Sequence, residues 1–274
     1  MEKLSVTVKK KLEILLIKDF SIDQIYAFSF WILPHLETFN PKYHDAELTR
    51  ICQELKNRKP IQYIFGLAFF GDLQLYVNLH TLIPRPETEE LCQFISVHFK
   101  DKDNIRGLDI GTGSGCIPIY LLSKHPHWKF EAMDINANIL DVAESNARKY
   151  GLHNSIYFHE LNVFTMTTLP NDIQLLVSNP PYVGREEMET LATDVLNYEP
   201  HSALFSPTPD SMLFYKKIAE LVSNSAIKKL SIWLEINQYK GLETLALFEP
   251  IGETKLHFDM SGNTRFLHCE IARP

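Results

Sequence analysis

Apolar positions along this chain change period twice. Up to about residue 65 they recur at helical spacing. Leu12, Leu15 and Leu16 mark one helix, and Ser21 with Gln24 forms an N-cap pair opening a second helix through Phe30. A third amphipathic stretch covers 45–57, with Leu48, Ile51, Cys52 and Leu55 on one face. Together these predict a small helical bundle, with Phe28, Phe30 and Trp31 most simply in its core, or with an exposed edge of that group open to docking. From Phe69 to Leu82 the period drops to two: Leu73, Leu75 and Val77 alternate with Asp72, Gln74, Tyr76 and Asn78, the signal of a connecting β-hairpin.

From Arg106 onward short apolar runs alternate with helical stretches. Strands are expected at 108–110, 130–133, 156–158, 175–178 and 231–236, and a closing pair at 254–258 and 266–271. Helices are expected at 117–124, at 139–150 (ended by Gly151) and at 213–222. Strands alternating with helices predict an α/β fold with a mostly parallel, doubly wound, Rossmann-like sheet. The expected domains are a helical, substrate-recognition domain over 1–68, a hairpin connector over 69–84 and the α/β domain over 85–274.

Composition narrows the class. The 274 residues suffice for one large domain or two modest ones. A content of 45% hydrophobic and 22% charged residues suits a soluble globular protein. The net charge of −7 gives no electrostatic footprint for non-specific nucleic-acid binding. Cys52, Cys92, Cys116 and Cys269 are scattered without a CxxC pair, which fits a reducing cytoplasm and offers no zinc or disulfide framework. Glu13, Lys18 and Asp19 break the first apolar stretch, so no signal peptide is expected. The apolar run over 26–33 is too short to span a bilayer. His125 and His127 flank Pro126 as a solvated helix end, and no metal site is expected.

Two loops carry the chemistry. Asp109-Ile110-Gly111-Thr112-Gly113-Ser114-Gly115 lies between the first strand of the sheet and its helix. Glycines at every second position let the backbone turn tightly and approach a ligand, with helix N–H groups aimed at it. Asp134 ends the next strand about twenty residues later, where a carboxylate accepts from ribose hydroxyls. A nicotinamide dinucleotide site wants GxGxxG, whereas here the third glycine comes one residue early and Cys116 follows it. The spacing favours a nucleoside ligand without a pyrophosphate, and S-adenosyl-L-methionine is the candidate.

The second loop, Asn179-Pro180-Pro181-Tyr182, follows the apolar run 173–177 at a strand's C-terminal end, where open α/β sheets bind ligands. Two prolines stiffen it and leave bare carbonyl acceptors. A planar NH2 group has one acceptor in Asn179 Oδ1, a second in the Pro180 carbonyl, and a ring in Tyr182 to pack against. A sulfonium methyl donor beside such a grip defines an N-methyltransferase. Accepting both N–H protons orients an amide nitrogen and favours its pyramidalisation, so its lone pair aims at the methyl carbon. No general base is required, because the alkylated nitrogen is acidic enough to lose its proton late.

These residues resemble one family closely: the protein-glutamine N5-methyltransferases of class-I peptide-chain release factors, the bacterial HemK/PrmC type. The likeness covers nearly the whole chain. It rests on Pro60-Ile61-Gln62-Tyr63-Ile64-Phe65-Gly66, Phe70-Gly71, Leu82-Ile83-Pro84-Arg85-Pro86-Glu87-Thr88-Glu89, Glu199-Pro200 with Ala203-Leu204, and the stretch from Asp259 to Arg265. By itself, Pro84-Arg85-Pro86 reads as a rigid lead into a helix capped by Thr88 or Glu87. The resemblance implies a helical N-terminal domain and a hairpin joined to a seven-stranded methyltransferase sheet. It implies a substrate, the glutamine of the release factor's Gly-Gly-Gln loop. It maps the cofactor onto Gly111, Thr112, Gly113, Ser114, Gly115 and Asp134, with Asn162 and Val163 near adenine and Asn179 at the border. It maps the substrate onto Asn179, Pro180, Pro181 and Tyr182, with Asn179, Pro180 and Tyr182 in catalysis. Asn162 stands where the family has an acid, and its side-chain oxygen is expected to accept from the adenine amino group. Glu199-Pro200 shapes the substrate slot or forms a surface loop. No direct nucleic-acid or membrane partner is expected, and the chain is expected to be a monomer.

Three other activities share parts of this pattern. A nucleic-acid N-methyltransferase shares the Asn-Pro-Pro-Tyr loop, but the acidic charge and lack of a basic, aromatic-studded module argue against it. A cofactor sensor without turnover is separated by an Asn179→Ala variant. A nicotinamide dehydrogenase fails on the glycine spacing.

Overall fold

The computed structural model describes residues 2–273, with the side chains of residues 2–5, 185, 186 and 190 outside that description. The chain forms two units. One runs to Gly66 and takes in Ala192–Tyr198; the other comprises Leu67–Leu191 and continues from Glu199.

The first unit contains α1 (Glu2–Leu16), α2 (Ile22–Glu37), α3 (His44–Lys56) and α4 (Ile61–Phe65). The expected capping box is present: Ser21 Oγ accepts from Gln24 N–H at 3.3 Å and Gln24 Oε1 from Ser21 N–H at 2.9 Å. Such a cap stabilises a helix by about 1 kcal/mol. Helix α2 runs past Phe30 to Glu37 despite Pro34, because Ile32 and Leu36 on either side of it are buried in the bundle core. Phe30 departs from expectation and is 81% exposed. The buried face of α2 is set by Ile25, Ser29, Ile32 and Leu36, and Phe30 points away from it; Phe28 and Trp31 pack partly against the core. Residues 192–198, expected within the α/β domain, belong to this unit, and the Tyr198 hydroxyl donates to the Asn57 carbonyl at 2.8 Å.

The second unit opens with β1 (Leu67–Phe70) and β2 (Leu73–Tyr76), an antiparallel hairpin. Next come α5 (Pro86–His98), β3 (Arg106–Ile110), α6 (Cys116–Lys124), β4 (Lys129–Asp134), α7 (Ala137–Lys149), β5 (Ile156–Glu160) and β6 (Leu175–Ser178). After α8 (Thr193–Tyr198, in the first unit) follow α9 (His201–Leu204), α10 (Leu213–Asn224), β7 (Lys229–Glu235), α11 (Gly241–Phe248), β8 (Glu253–Phe258) and β9 (Thr264–Ala272). The seven-stranded sheet has the order β5-β4-β3-β6-β7-β9-β8. Its first five strands are parallel, and β9 pairs antiparallel with both β7 and β8.

Alternation along the buried strands feeds two cores. Leu175 and Val177 of β6 join one with α5 and α6, while Leu176 joins the other with α10. The strand order reverses between β3 and β6, which opens a crevice beyond their C-terminal ends. The glycine loop leaves β3 there and the Asn-Pro-Pro-Tyr loop leaves β6. Ser178 Oγ donates to the Ile110 carbonyl at 2.6 Å and so ties the bases of the two loops together.

The hairpin is docked, not a free connector. Fully buried Asn146 of α7 accepts from Tyr76 N–H at 2.6 Å and donates to the carbonyls of Tyr76 (3.0 Å) and Ser114 (2.9 Å).

Candidate active site

A cavity of about 630 Å³ fills this crevice. Gly111, Thr112, Gly113, Ser114, Asp134, Asn162, Val163, Asn179, Pro180 and Pro181 all line it, so most residues singled out from sequence meet in one place.

The glycine loop explains its composition. Gly111 (φ 76°) and Gly113 (φ 56°) occupy left-handed backbone, and a Cβ on either would meet no protein atom within 4 Å. The space in front of them is open to a ligand. Gly115 does not line the cavity. It is the N-cap of α6 at φ 78°, and a Cβ there would press on Ile119 (3.1 Å) and Ala143 (3.3 Å), so it serves the packing of α6 on α7.

Asp134 is held from behind: its Oδ2 accepts from Gly113 N–H at 3.0 Å and its Oδ1 from Ile135 N–H at 2.8 Å. Burial pushes its carboxyl above the usual range, against those two bonds. Each oxygen keeps a lone pair for a donor such as a ribose hydroxyl. Beneath the loop, Asp109 is fully buried, with the Thr112 hydroxyl as its polar neighbour. Burial raises Asp109 to about 7, opposed by the Thr112 hydroxyl and reinforced by the nearby Asp134 charge. Asn162 caps the single helical turn Val163–Thr165, and its Oδ1 accepts from Phe164 N–H at 2.9 Å. The oxygen expected to meet adenine is thus partly engaged, and Nδ2 is the side chain's remaining donor.

On the other side the loop after β6 is wired into the protein. Asn179 Nδ2 donates to Thr88 Oγ1 at 2.9 Å, and Thr88 Oγ1 donates to Glu235 Oε2 at 2.6 Å. The Tyr182 hydroxyl donates to Glu235 Oε1 at 3.0 Å, and the Tyr215 hydroxyl to the Glu235 backbone carbonyl at 3.2 Å. Glu235 is 1% exposed at the end of β7. Burial raises its pKa, opposed by the Thr88 and Tyr182 bonds.

Tyr182, expected to face a substrate, is not a cavity-lining residue; its ring packs against the core and its hydroxyl turns to Glu235. Burial and the Glu235 carboxylate push its phenol well above the usual range. Thr88 does not cap α5. Pro86 takes the first helical position, Arg85 stands at the N-cap without a side-chain capping bond, and the Thr88 hydroxyl goes to Glu235.

Glu199 is buried, not part of a surface loop. It accepts from Ile83 N–H at 3.2 Å and from Arg85 at 2.5 Å, joining the Pro-Arg-Pro segment to the chain that runs into α9. Arg85, His201, Ala203 and Phe205 extend the cavity wall there.

The chain matches the model of the methyltransferase small domain over residues 88–205. A release factor glutamine methyltransferase of Flavobacterium psychrophilum is 42% identical over 222 residues, covering 79% of this chain and 77% of that protein. The chain belongs to the release factor glutamine methyltransferase family. A second member, from Lactococcus lactis, is 35% identical and covers 86% of this chain and 87% of its own length. The catalytic domain of hMettl16, solved with a MAT2A 3′UTR hairpin, shares the fold with a TM-score of 0.56 at 16% identity, over 81% of this chain and 80% of that one.

This family member is an S-adenosyl-L-methionine-dependent methyltransferase. The cavity fits that cofactor on its own terms: two glycines leave a cradle that side chains would fill, and Asp134 presents a braced acceptor beside it. Among the described residues no helix is long and apolar enough to cross a membrane.

Thr88, Glu235, Asp109, Arg85 and Asn146 escaped the sequence reading as functional candidates. A carboxylate closing an apolar strand was the available signal for Glu235, since a buried acid requires partners. One cluster with metal-ligand chemistry, His98, His268 and Glu270, lies outside the cavity. It is satisfied internally, with both Nε2 atoms on Glu270 Oε1 at 2.9 and 2.8 Å. His125, set aside from the start, bonds Ser96 Oγ at 2.7 Å and stacks on Trp128.

Proposed function

We propose that this enzyme methylates the side-chain amide nitrogen (N5) of the glutamine in the Gly-Gly-Gln motif of class-I release factors, in the cytoplasm, in support of translation termination. The relatives' activity supports the substrate class. The observation that carries the chemistry is the orientation of Asn179: its Nδ2 is committed to Thr88, so Oδ1 is the atom left for a substrate N–H.

When bound, S-adenosyl-L-methionine supplies an electrophilic methyl group on a sulfonium for direct SN2 transfer. Gly111, Thr112, Gly113, Ser114 and Asp134 would hold it, with Asn162 and Val163 in the same cavity wall. Gly115 shapes the loop from behind. An amide nitrogen is a weak nucleophile because its lone pair is delocalised into the carbonyl. Asn179 Oδ1 and the Pro180 carbonyl accept hydrogen bonds from its two N–H groups at fixed positions, and Pro181 keeps that backbone extended. Tyr182 acts through its hydroxyl, anchoring the end of the loop on Glu235. An amide acceptor at 179 is neutral and avoids the desolvation cost of a carboxylate.

The test is mass spectrometry of a purified, unmethylated class-I release factor incubated with the enzyme and S-adenosyl-L-methionine. A single methyl mass on the Gly-Gly-Gln glutamine, absent with Asn179→Ala, is expected. Methyl incorporation into RNA or DNA with none on that glutamine overturns the assignment.

A further inference from the structure

We propose that Glu235, acting through Thr88, is a positioning residue that fixes which end of the Asn179 amide faces the substrate. The inference rests on the reading that Asn179 Oδ1 accepts a substrate N–H, and it adds the device that makes Oδ1 the atom presented.

An asparagine amide is nearly symmetric in shape, with a carbonyl oxygen on one side and an NH2 on the other. Shape alone does not choose between two orientations related by half a turn. Only one is productive, because the reverse sets an NH2 donor against a substrate NH2. The choice falls to whatever Asn179 meets on its protein side, and that is the Thr88 hydroxyl at 2.9 Å. A hydroxyl accepts or donates, so Thr88 by itself decides nothing. Glu235 removes the ambiguity. Both of its oxygens stand as acceptors, Oε1 of the Tyr182 hydroxyl at 3.0 Å and Oε2 of the Thr88 hydroxyl at 2.6 Å, so the Thr88 proton is committed to Oε2. Thr88 is left with lone pairs only, and only Nδ2 of Asn179 satisfies them.

The same carboxylate takes the Tyr182 proton on its other oxygen at 3.0 Å. Both ends of the four-residue loop therefore answer to one buried acid. The environment holds this arrangement. Thr88 is 2% exposed, Pro86 locks the turn that carries it, and the Tyr215 hydroxyl on the Glu235 carbonyl fixes the strand end. Thr88 and Glu235 are both buried, so a wrong orientation sets Asn179 Oδ1 against the Thr88 lone pairs with no proton between them.

Thr88→Val keeps the volume and removes the hydroxyl. Glu235→Gln offers one acceptor and one donor, so it cannot accept from both Thr88 and Tyr182. Each variant is expected to lower kcat for methylation of an unmethylated release factor about 100-fold. KM for the release factor and the affinity for S-adenosyl-L-methionine should stay within about threefold, as the cofactor cradle is untouched. Because the two residues act in series, the double variant should be little worse than either single one. Thr88→Ser, which restores the hydroxyl, should recover kcat to within about threefold of wild type. A merely structural role gives neither the Ser rescue nor the split between kcat and cofactor affinity.

If Thr88→Val turns over at the wild-type rate while Asn179→Ala is inactive, the relay is wrong and the acceptor role of Asn179 stands. If Asn179→Ala itself methylates the glutamine normally, the underlying reading fails instead. Should Glu235→Gln not fold, the Val and Ser pair at Thr88 decides the matter alone.

Discussion

The two sides of the cavity are built on opposite terms. The loop after β6 arrives finished, with Asn179, Thr88, Glu235 and Tyr182 satisfying one another before any ligand enters. The loop after β3 arrives unfinished. Its glycines face open space, and Asp109 lies fully buried beneath them. The acceptor side is thus preorganised and spends little on binding, whereas the donor side leaves room for a ligand to complete it. Preorganisation belongs where rate is set, because fixed dipoles cost no reorganisation during transfer. Incompleteness on the donor side leaves affinity to be gained from the ligand.

The sharpest way to break this contrast is Asn179→Ala. It should lower kcat about 1,000-fold while leaving cofactor affinity within about threefold, measured by single-turnover methylation and by titration. Equal damage to both quantities would show that the two sides are not independent.

Asp109→Asn probes the unfinished side. The folded-state pKa of about 7 lies above the ordinary 3.8, so the native protein holds a proton that the unfolded chain releases. The stability that this confers is complete below about pH 4 and is lost as pH rises through 7, by at most about 4 kcal/mol. Cofactor-free melts of the wild type should therefore lose more Tm between pH 5 and pH 8 than those of Asp109→Asn. Parallel slopes would mean that Asp109 is not the group responsible.

Gly111→Ala is milder. A side chain in left-handed backbone costs about 1–2 kcal/mol, and the new methyl group enters the cradle. Cofactor affinity should fall about tenfold, with kcat at saturating cofactor nearly preserved. An unchanged dissociation constant would place the cofactor elsewhere.

The smallest effect belongs to Ser21→Ala in the helical unit. Losing its capping bond should cost about 1 kcal/mol in chemical denaturation with no change in cofactor affinity. A shift in that affinity would contradict the assignment of the cofactor wholly to the second unit.

Local features were the legible ones. The capping box at Ser21, the strand–turn–helix around Gly111 to Gly115 and the loop at Asn179 are written in spacings of a few residues, and each stands where the pattern placed it. Pairings across the sheet were not legible. Thr88 and Glu235 lie 147 positions apart, and nothing in a run such as Ser231–Ile236 says that its one acid will meet the first turn of α5. Thr88 itself misled, since a threonine after Arg-Pro-Glu looks like a helix cap until tertiary contacts claim its hydroxyl. Phe30 misled through composition: three large aromatics close together suggest a core, but a helix turns 100° per residue and cannot bury all of them. Asn146 sat unnoticed on the buried face of an amphipathic helix.

That asparagine has a consequence for how the molecule breathes. One side chain grips the backbone of the hairpin at Tyr76 and the carbonyl of Ser114 in the cofactor loop. Local opening of the hairpin then releases one end of the cradle, so whatever stiffens the cradle must also keep the hairpin shut. Strand β2 becomes a gauge of occupancy: deuterium uptake at the Tyr76 amide should slow as S-adenosyl-L-methionine saturates the enzyme, and in Asn146→Ala it should become insensitive to the ligand.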